Sequence, residues 1–215
     1  MEIKQACGQW GVLAGAVAYL LPLGFSTAAY VVCCLCAVGT YLISLYNTVG
    51  LVQANKEWLA RAMMDNNTHY VLYSVAAAVQ PPALARVTPL VLFAAYQVAN
   101  WMHSTGSAPA ALAGPVAVFL TQQTTLFQII SQIEVMTVAM AVIFVPFGRS
   151  SLADAAILCN FIYLRYAVSP FTRASFATVA TYTDPLLASP RTPGPIAWAY
   201  RKFKSLAPPI VPATA

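Results

Sequence analysis

The sequence predicts an all-α, polytopic helical membrane protein of about four spans, the third broken by proline, with interfacial amphipathic helices around them. Three observations predict it. Hydrophobic residues make up 60% of the 215 and charged residues only 8%, against about 25% charged in a soluble domain, so there are too few charges to solvate a surface of this size. Apolar runs recur near the roughly 20 residues a helix needs to cross about 30 Å of hydrocarbon. Lys and Arg fall in the flanks of alternate runs, as the positive-inside rule requires of a protein that crosses repeatedly.

Trp10 to Phe25 is the first run, long enough for a span if the helix starts near Cys7, and Pro22, Gly24 and Ser26 break it. Ala28 to Tyr46 is the second. So short a link makes the two an antiparallel hairpin. Cys33 and Cys36 have C-x-x-C spacing, but no second pair, His or acid lies near them. A zinc or redox site needs more ligands, so the cysteines read as small soft packing residues. The N-terminus, Met-Glu-Ile-Lys, lacks a cleavable-signal pattern, and the first helix is expected to stay as the insertion signal.

Residues 47–68 are polar, with Lys56, Glu57, Arg61 and Asp65. Trp58, Leu59, Ala62 and Met63 gather on one side of a helix at the interface or extending the second span, and Asp65 to Thr68 offer N-caps for the next. Residues 69–103 are apolar but interrupted by Pro81, Pro82 and Pro89. Adjacent prolines cannot lie in an unbroken helix interior. The reading is a helix over about 69–80 and another over about 88–103, forming one kinked span or a re-entrant pair. A Ser/Gly/Pro/Ala loop fills 104–114. An amphipathic helix is expected over 115–132, a span over 133–147 ended by Pro146 and Gly148, a polar turn at 149–154, and a short span or membrane-dipping helix over 152–168. These make a bundle of residues 1–170. Residues 171–215 form an interfacial segment: a mildly amphipathic 171–182, a proline-rich linker over 184–195, a basic helix over 196–206 and a proline-rich tail. No fixed-period repeat is visible. The charge pattern puts both termini on the cytosolic side, or the matrix side of a mitochondrial protein.

The chemistry-bearing residues are few. Arg86 and Glu134 are the charges nearest membrane depth, where charge is costly and often functional. They either pair across the bundle or line an ion path, or each sits near a helix end and reaches the interface. His69 and His103 lack ligand partners in the sequence. No nucleophile elbow or phosphate-binding glycine loop occurs, so a non-enzymatic protein without cofactor or metal is expected. Asn66-Asn67-Thr68 is a glycosylation sequon on the expected cytosolic side, hence unmodified. Arg149, Arg165, Arg173, Trp198, Arg201, Lys202 and Lys204 mix cations with an interfacial aromatic. They are expected on one side of the membrane, against anionic phospholipid headgroups or an acidic partner. Scattered cations without a basic stripe argue against nucleic acid.

Trp58 to Asp65 leading into His69-Tyr70-Val71-Leu72-Tyr73-Ser74, then Pro89 to Phe93, Gln128 to Glu134, Phe161 to Tyr166 and Phe203 to Pro208, follow one another in an order that resembles the transmembrane protein 33 family, which includes the fungal pore membrane proteins. The resemblance covers roughly residues 55–210. It implies an endoplasmic reticulum and nuclear envelope protein that shapes tubules, associates with reticulons and assists nuclear pore distribution. The reading is thus a membrane scaffold or shaping protein among other integral membrane proteins. The alternative is an accessory structural subunit of a large membrane complex, such as a respiratory assembly of the mitochondrial inner membrane.

Overall fold

The structure is a computed structural model and describes residues 3–21 and 26–187, with Gly194 and Trp198 as isolated positions. Nine helices cover the described residues, without a strand: α1 (Ile3–Leu20), α2 (Ser26–Val49), α3 (Lys56–Met64), α4 (Asn66–Val79), α5 (Leu84–Thr105), α6 (Ala110–Thr121), α7 (Gln123–Phe144), α8 (Leu152–Val168) and α9 (Pro170–Leu187). Two of them, α2 and α7, are long and apolar enough to cross a membrane, and α8 with α9, bent by 110° at the break, makes a possible third span.

The core settles helix directions. Gly8, Gly11 and Gly15 of α1 face Thr40, Cys36 and Cys33 of α2 in turn, so the two run antiparallel, as the short link required. Tyr30 reaches the Ala77 carbonyl and Tyr41 stacks on Tyr70 at 5.0 Å, so α2 and α4 are antiparallel. Thr137 approaches the Ala85 carbonyl while Phe127 meets Phe93 and Tyr96, which makes α5 and α7 antiparallel. Asn66 bonds Arg165 and Tyr73 packs on Phe161, so α4 and α8 are antiparallel as well. Six helices therefore alternate: α1, α4 and α7 run one way, α2, α5 and α8 the other. Of the two readings of 69–103, the re-entrant pair is correct: α5 returns toward the end at which α4 began. The end of α1, the start of α2 and the turns at 80–83 and 145–151 share one end of the bundle, called here the far end. The near end holds the start of α1, the end of α2, and α3.

Proline explains both the break and its repair. Pro81 has no N–H for the Ala77 carbonyl, and Pro89 none for that of Ala85. Inside lipid such carbonyls cannot find water. Tyr30 donates to Ala77 O at 3.1 Å beside the Gln80 N–H at 3.2 Å, and the Thr137 hydroxyl, 2.8 Å from its own Ile133 carbonyl, shares its hydrogen with Ala85 O at 3.3 Å. Thr137→Val is expected to destabilise the bundle by about 0.5–1.5 kcal/mol. The cost should shrink in a Pro89→Ala background, where residue 89 regains its own donor. A double-mutant cycle by denaturant titration in detergent measures this, and an equal cost in both backgrounds would refute the repair.

One expected boundary moved. The amphipathic helix over 115–132 and the span over 133–147 are replaced by α6 and α7, divided at Gln122 (φ −89°, ψ 17°). The polar residues before Glu134 belong to the first half of α7, where two of them have partners on α9. Gln128 donates to Ser175 at 2.9 Å, and Ser131 meets Thr172 at 3.5 Å. The α8–α9 bend has a local cause. Ser169 precedes Pro170 and is held extended (φ −94°, ψ 122°), as residues before proline are, and its hydroxyl accepts the Thr172 N–H while proline takes the first helical position. Thr172 and Ser175 are fully buried, so the core runs past residue 170 into α9.

Candidate functional site

The most unusual chemistry for a membrane bundle is a set of buried charges. Glu134 sits at the middle of α7 with 0% exposure, and Arg165 in the last turn of α8 with 7%. Arg165 Nε donates to Glu134 Oε2 at 3.3 Å, and Tyr70 Oη donates to Oε1 at 2.7 Å. The same guanidinium donates to Asn66 Oδ1 at 2.8 Å and to Tyr70 Oη at 3.3 Å, and lies 5.0 Å from the Tyr70 ring centre. Both carboxylate oxygens and all three guanidinium nitrogens are engaged, so α4, α7 and α8 are tied through one cluster.

A second pair lies at the far end. Arg86 of α5 grips Asp154 of α8 with two bonds, 2.6 and 3.3 Å. The Ser150 hydroxyl adds a bond to Asp154 at 3.2 Å, and the Ser151 hydroxyl caps α8 through the Asp154 N–H. Eleven residues, close to three helical turns, separate Asp154 from Arg165, so both fall on the buried face of α8 with Leu158, Phe161 and Ile162. The acid stands in the first turn and the base in the last, the arrangement the helix dipole favours. Charge in lipid costs about 2.5–3.5 kcal/mol per residue on insertion scales, and here each is offset by a partner. The arrangement is a clamp.

The sequence-derived site residues are dispersed. Arg86 and Glu134 do not pair with each other, and Glu134 is far from any helix end, which corrects both the cross-bundle pairing and the interfacial placement for that residue. Arg165 is a correction too: it points inward at Glu134 rather than to lipid headgroups, because an acid at that depth leaves it no better partner. Arg149 is exposed at the far end, whereas Arg173 lies toward the near end, so these cations do not share one side. Arg173 donates to the Tyr166 and Ala167 carbonyls at 3.3 and 3.2 Å, closing the last turn of α8. Trp198 is exposed. Arg201, Lys202 and Lys204 lie outside the described residues. Cys33 and Cys34 are buried and unpaired, as packing residues should be. Tyr70, Asn66 and Asp154 join the site although local sequence does not mark them. The available signal was the i, i+11 spacing of Asp154 and Arg165 on one apolar helix.

The whole pattern, from the Asp65 cap and His69–Ser74 to Arg165, lies within a match to the family model Transmembrane protein 33/Nucleoporin POM33 over residues 1–212. The chain belongs to this family. It is similar to Tetra-spanning protein 1 of Schizosaccharomyces pombe, 26% identical over 92% of this chain and 80% of the relative. The Transmembrane protein 33 homolog of Caenorhabditis elegans is 26% identical over 91% of this chain and 78% of its own. Human Transmembrane protein 33 is 25% identical over 72% of this chain, which spans 65% of that relative. No solved structure matches. A polytopic helical membrane protein of the transmembrane protein 33 family is thereby established.

Proposed function

We propose that this protein is a non-enzymatic membrane-shaping scaffold of the endoplasmic reticulum and nuclear envelope. One observation carries the reading: the extra helices α3, α6 and α9 all lie toward the near end, while the described residues of the far end form only short turns. Helices about 10 Å wide that rise 1.5 Å per residue add on the order of several hundred Å² to one leaflet when they lie along it. Area added to a single leaflet bends the bilayer toward that side. The word nucleoporin in the family description supports the nuclear envelope, and cations at the near end suit the anionic cytoplasmic leaflet.

The reading is tested by reconstituting the full chain into vesicles of graded diameter with the near end outward. Protein should accumulate in the smallest vesicles and draw tubules from giant ones. Equal density at all diameters, with no tubules, would remove it. Fractionation of cells should recover the protein with reticular and nuclear-rim membranes, and recovery within a mitochondrial complex on native gels would favour the accessory-subunit role instead.

A further inference from the structure

We infer that α6 is an intraleaflet wedge, sunk wholly among the phospholipid acyl chains of the near-end leaflet rather than floating at the headgroups. It deepens the shaping proposal and rests on that reading for its biological use, but its geometry stands apart from it.

The argument starts from composition. Between Arg86 and Glu134 the chain carries no Lys, Arg, Asp or Glu, so nothing around α6 requires bulk water. α6 itself is Ala-Ala-Leu-Ala-Gly-Pro-Val-Ala-Val-Phe-Leu-Thr, and none of its residues is buried by the rest of the protein. Leu112 and Val118 are 48% and 64% exposed, and at 100° per residue they point about 120° apart. Apolar side chains therefore leave the helix on more than one side. An interfacial helix differs, since it keeps a polar face toward the headgroups. α9, with Arg173, Thr178 and Thr181 along it, has such residues, and α6 among 110–120 has none.

Length excludes a crossing. Twelve residues rise about 18 Å, short of the roughly 30 Å hydrocarbon core. Connectivity fixes the leaflet, because α5 ends and α7 begins at the near end. The helix packs on α5 and is flanked by polar stops, Gly106-Ser107 before it and Thr121-Gln122-Gln123 after it. Gly106, in the left-handed region (φ 65°), ends α5 by turning the chain. A helix apolar all round, charge-free in its surroundings and too short to span has one matching solvent, the acyl chains of a single leaflet. Such a helix takes up volume below the phosphates, and its insertion gains nothing from anionic lipid.

Two single substitutions in the full-length protein, Leu112→Trp and Val118→Trp, test this, each read as difference fluorescence against the parent because four native tryptophans contribute. The protein is reconstituted in phosphatidylcholine brominated at mid-chain. Both added tryptophans should emit in the blue, lose roughly half or more of their added emission to the brominated chains, and escape aqueous acrylamide. Neither should respond to salt or to added phosphatidylserine. Quenching of one position by bromine and of the other by acrylamide means a floating helix and overturns the inference. Insensitivity to bromine at both positions means that water or a protein neighbour covers α6, and overturns it as well. A sunk α6 in a protein indifferent to vesicle diameter removes the shaping reading alone.

Discussion

Arg165→Met should be the most damaging single substitution in the bundle, lowering its stability in detergent by about 3–5 kcal/mol. The loss has identifiable parts. Glu134 keeps its burial at the centre of α7 and loses the cation that compensates it. Tyr70 still donates to Oε1, but one neutral hydroxyl cannot replace a guanidinium. Asn66 loses its bond from the α8 side, so the near-end contact between α4 and α8 opens. Arg165→Lys should recover only part of the loss, because an ammonium cannot reproduce the fork that meets Glu134, Asn66 and the Tyr70 hydroxyl together. Glu134→Gln should cost less than Arg165→Met, since the amide still accepts from Tyr70 while leaving the cation short of a carboxylate. The double variant Glu134→Leu with Arg165→Met should recover most of the stability, since an apolar pair of similar volume is often neutral in place of a buried ion pair. Denaturant titration of the four variants in mixed micelles decides it. If the double variant is no more stable than Arg165→Met alone, the clamp is not the source of the effect.

The fold was legible where local chemistry acts alone. Apolar runs, the break at Pro81-Pro82 and the Asp65 cap fall where composition placed them, because proline and Asx residues act on their own backbone. Two kinds of feature were not legible. The division at Gln122 was hidden because a helix start costs little in polar sequence and leaves no proline or glycine mark. The charge pairing was hidden because it depends on which helices meet. Arg86 and Glu134 look alike in sequence, each a lone charge in apolar surroundings, yet their partners are Asp154 and Arg165 on a third helix. Arg165 has the neighbours Tyr163 and Tyr166, aromatic types that suit the headgroup level. Position on the helix face decides instead: Tyr163 is exposed, whereas Arg165 shares the buried side with Asp154, Leu158 and Phe161.

Gly15→Leu should separate α1 from α2, with a loss at the upper end of, or beyond, the roughly 1–3 kcal/mol range for overpacking. Gly8, Gly11 and Gly15 recur at three and four residues, so they form one face of α1 and let two backbones approach, as small residues do in membrane helix pairs. The three positions differ in what a side chain would strike. At Gly11 a Cβ would stand 2.8 Å from the Cys36 Sγ, the tip of a side chain that can rotate away. At Gly15 it would stand 3.0 Å from the N and Cα of Cys33 as well as its Cβ. Backbone in the middle of α2 cannot move aside unless the helices part. Cys33 donates from its thiol to the Val12 carbonyl at 3.3 Å, and that contact would go with the parting. Gly39 is the internal control, since nothing lies within 4 Å of its Cβ position. Gly39→Ala should raise stability by up to about 1 kcal/mol through helix propensity alone. Thermal unfolding of Gly11→Ala, Gly15→Ala, Gly15→Leu and Gly39→Ala should therefore rank Gly39→Ala highest and Gly15→Leu lowest, with Gly11→Ala above Gly15→Ala. A Gly15→Leu protein as stable as the parent would mean that α1 and α2 are not in backbone contact.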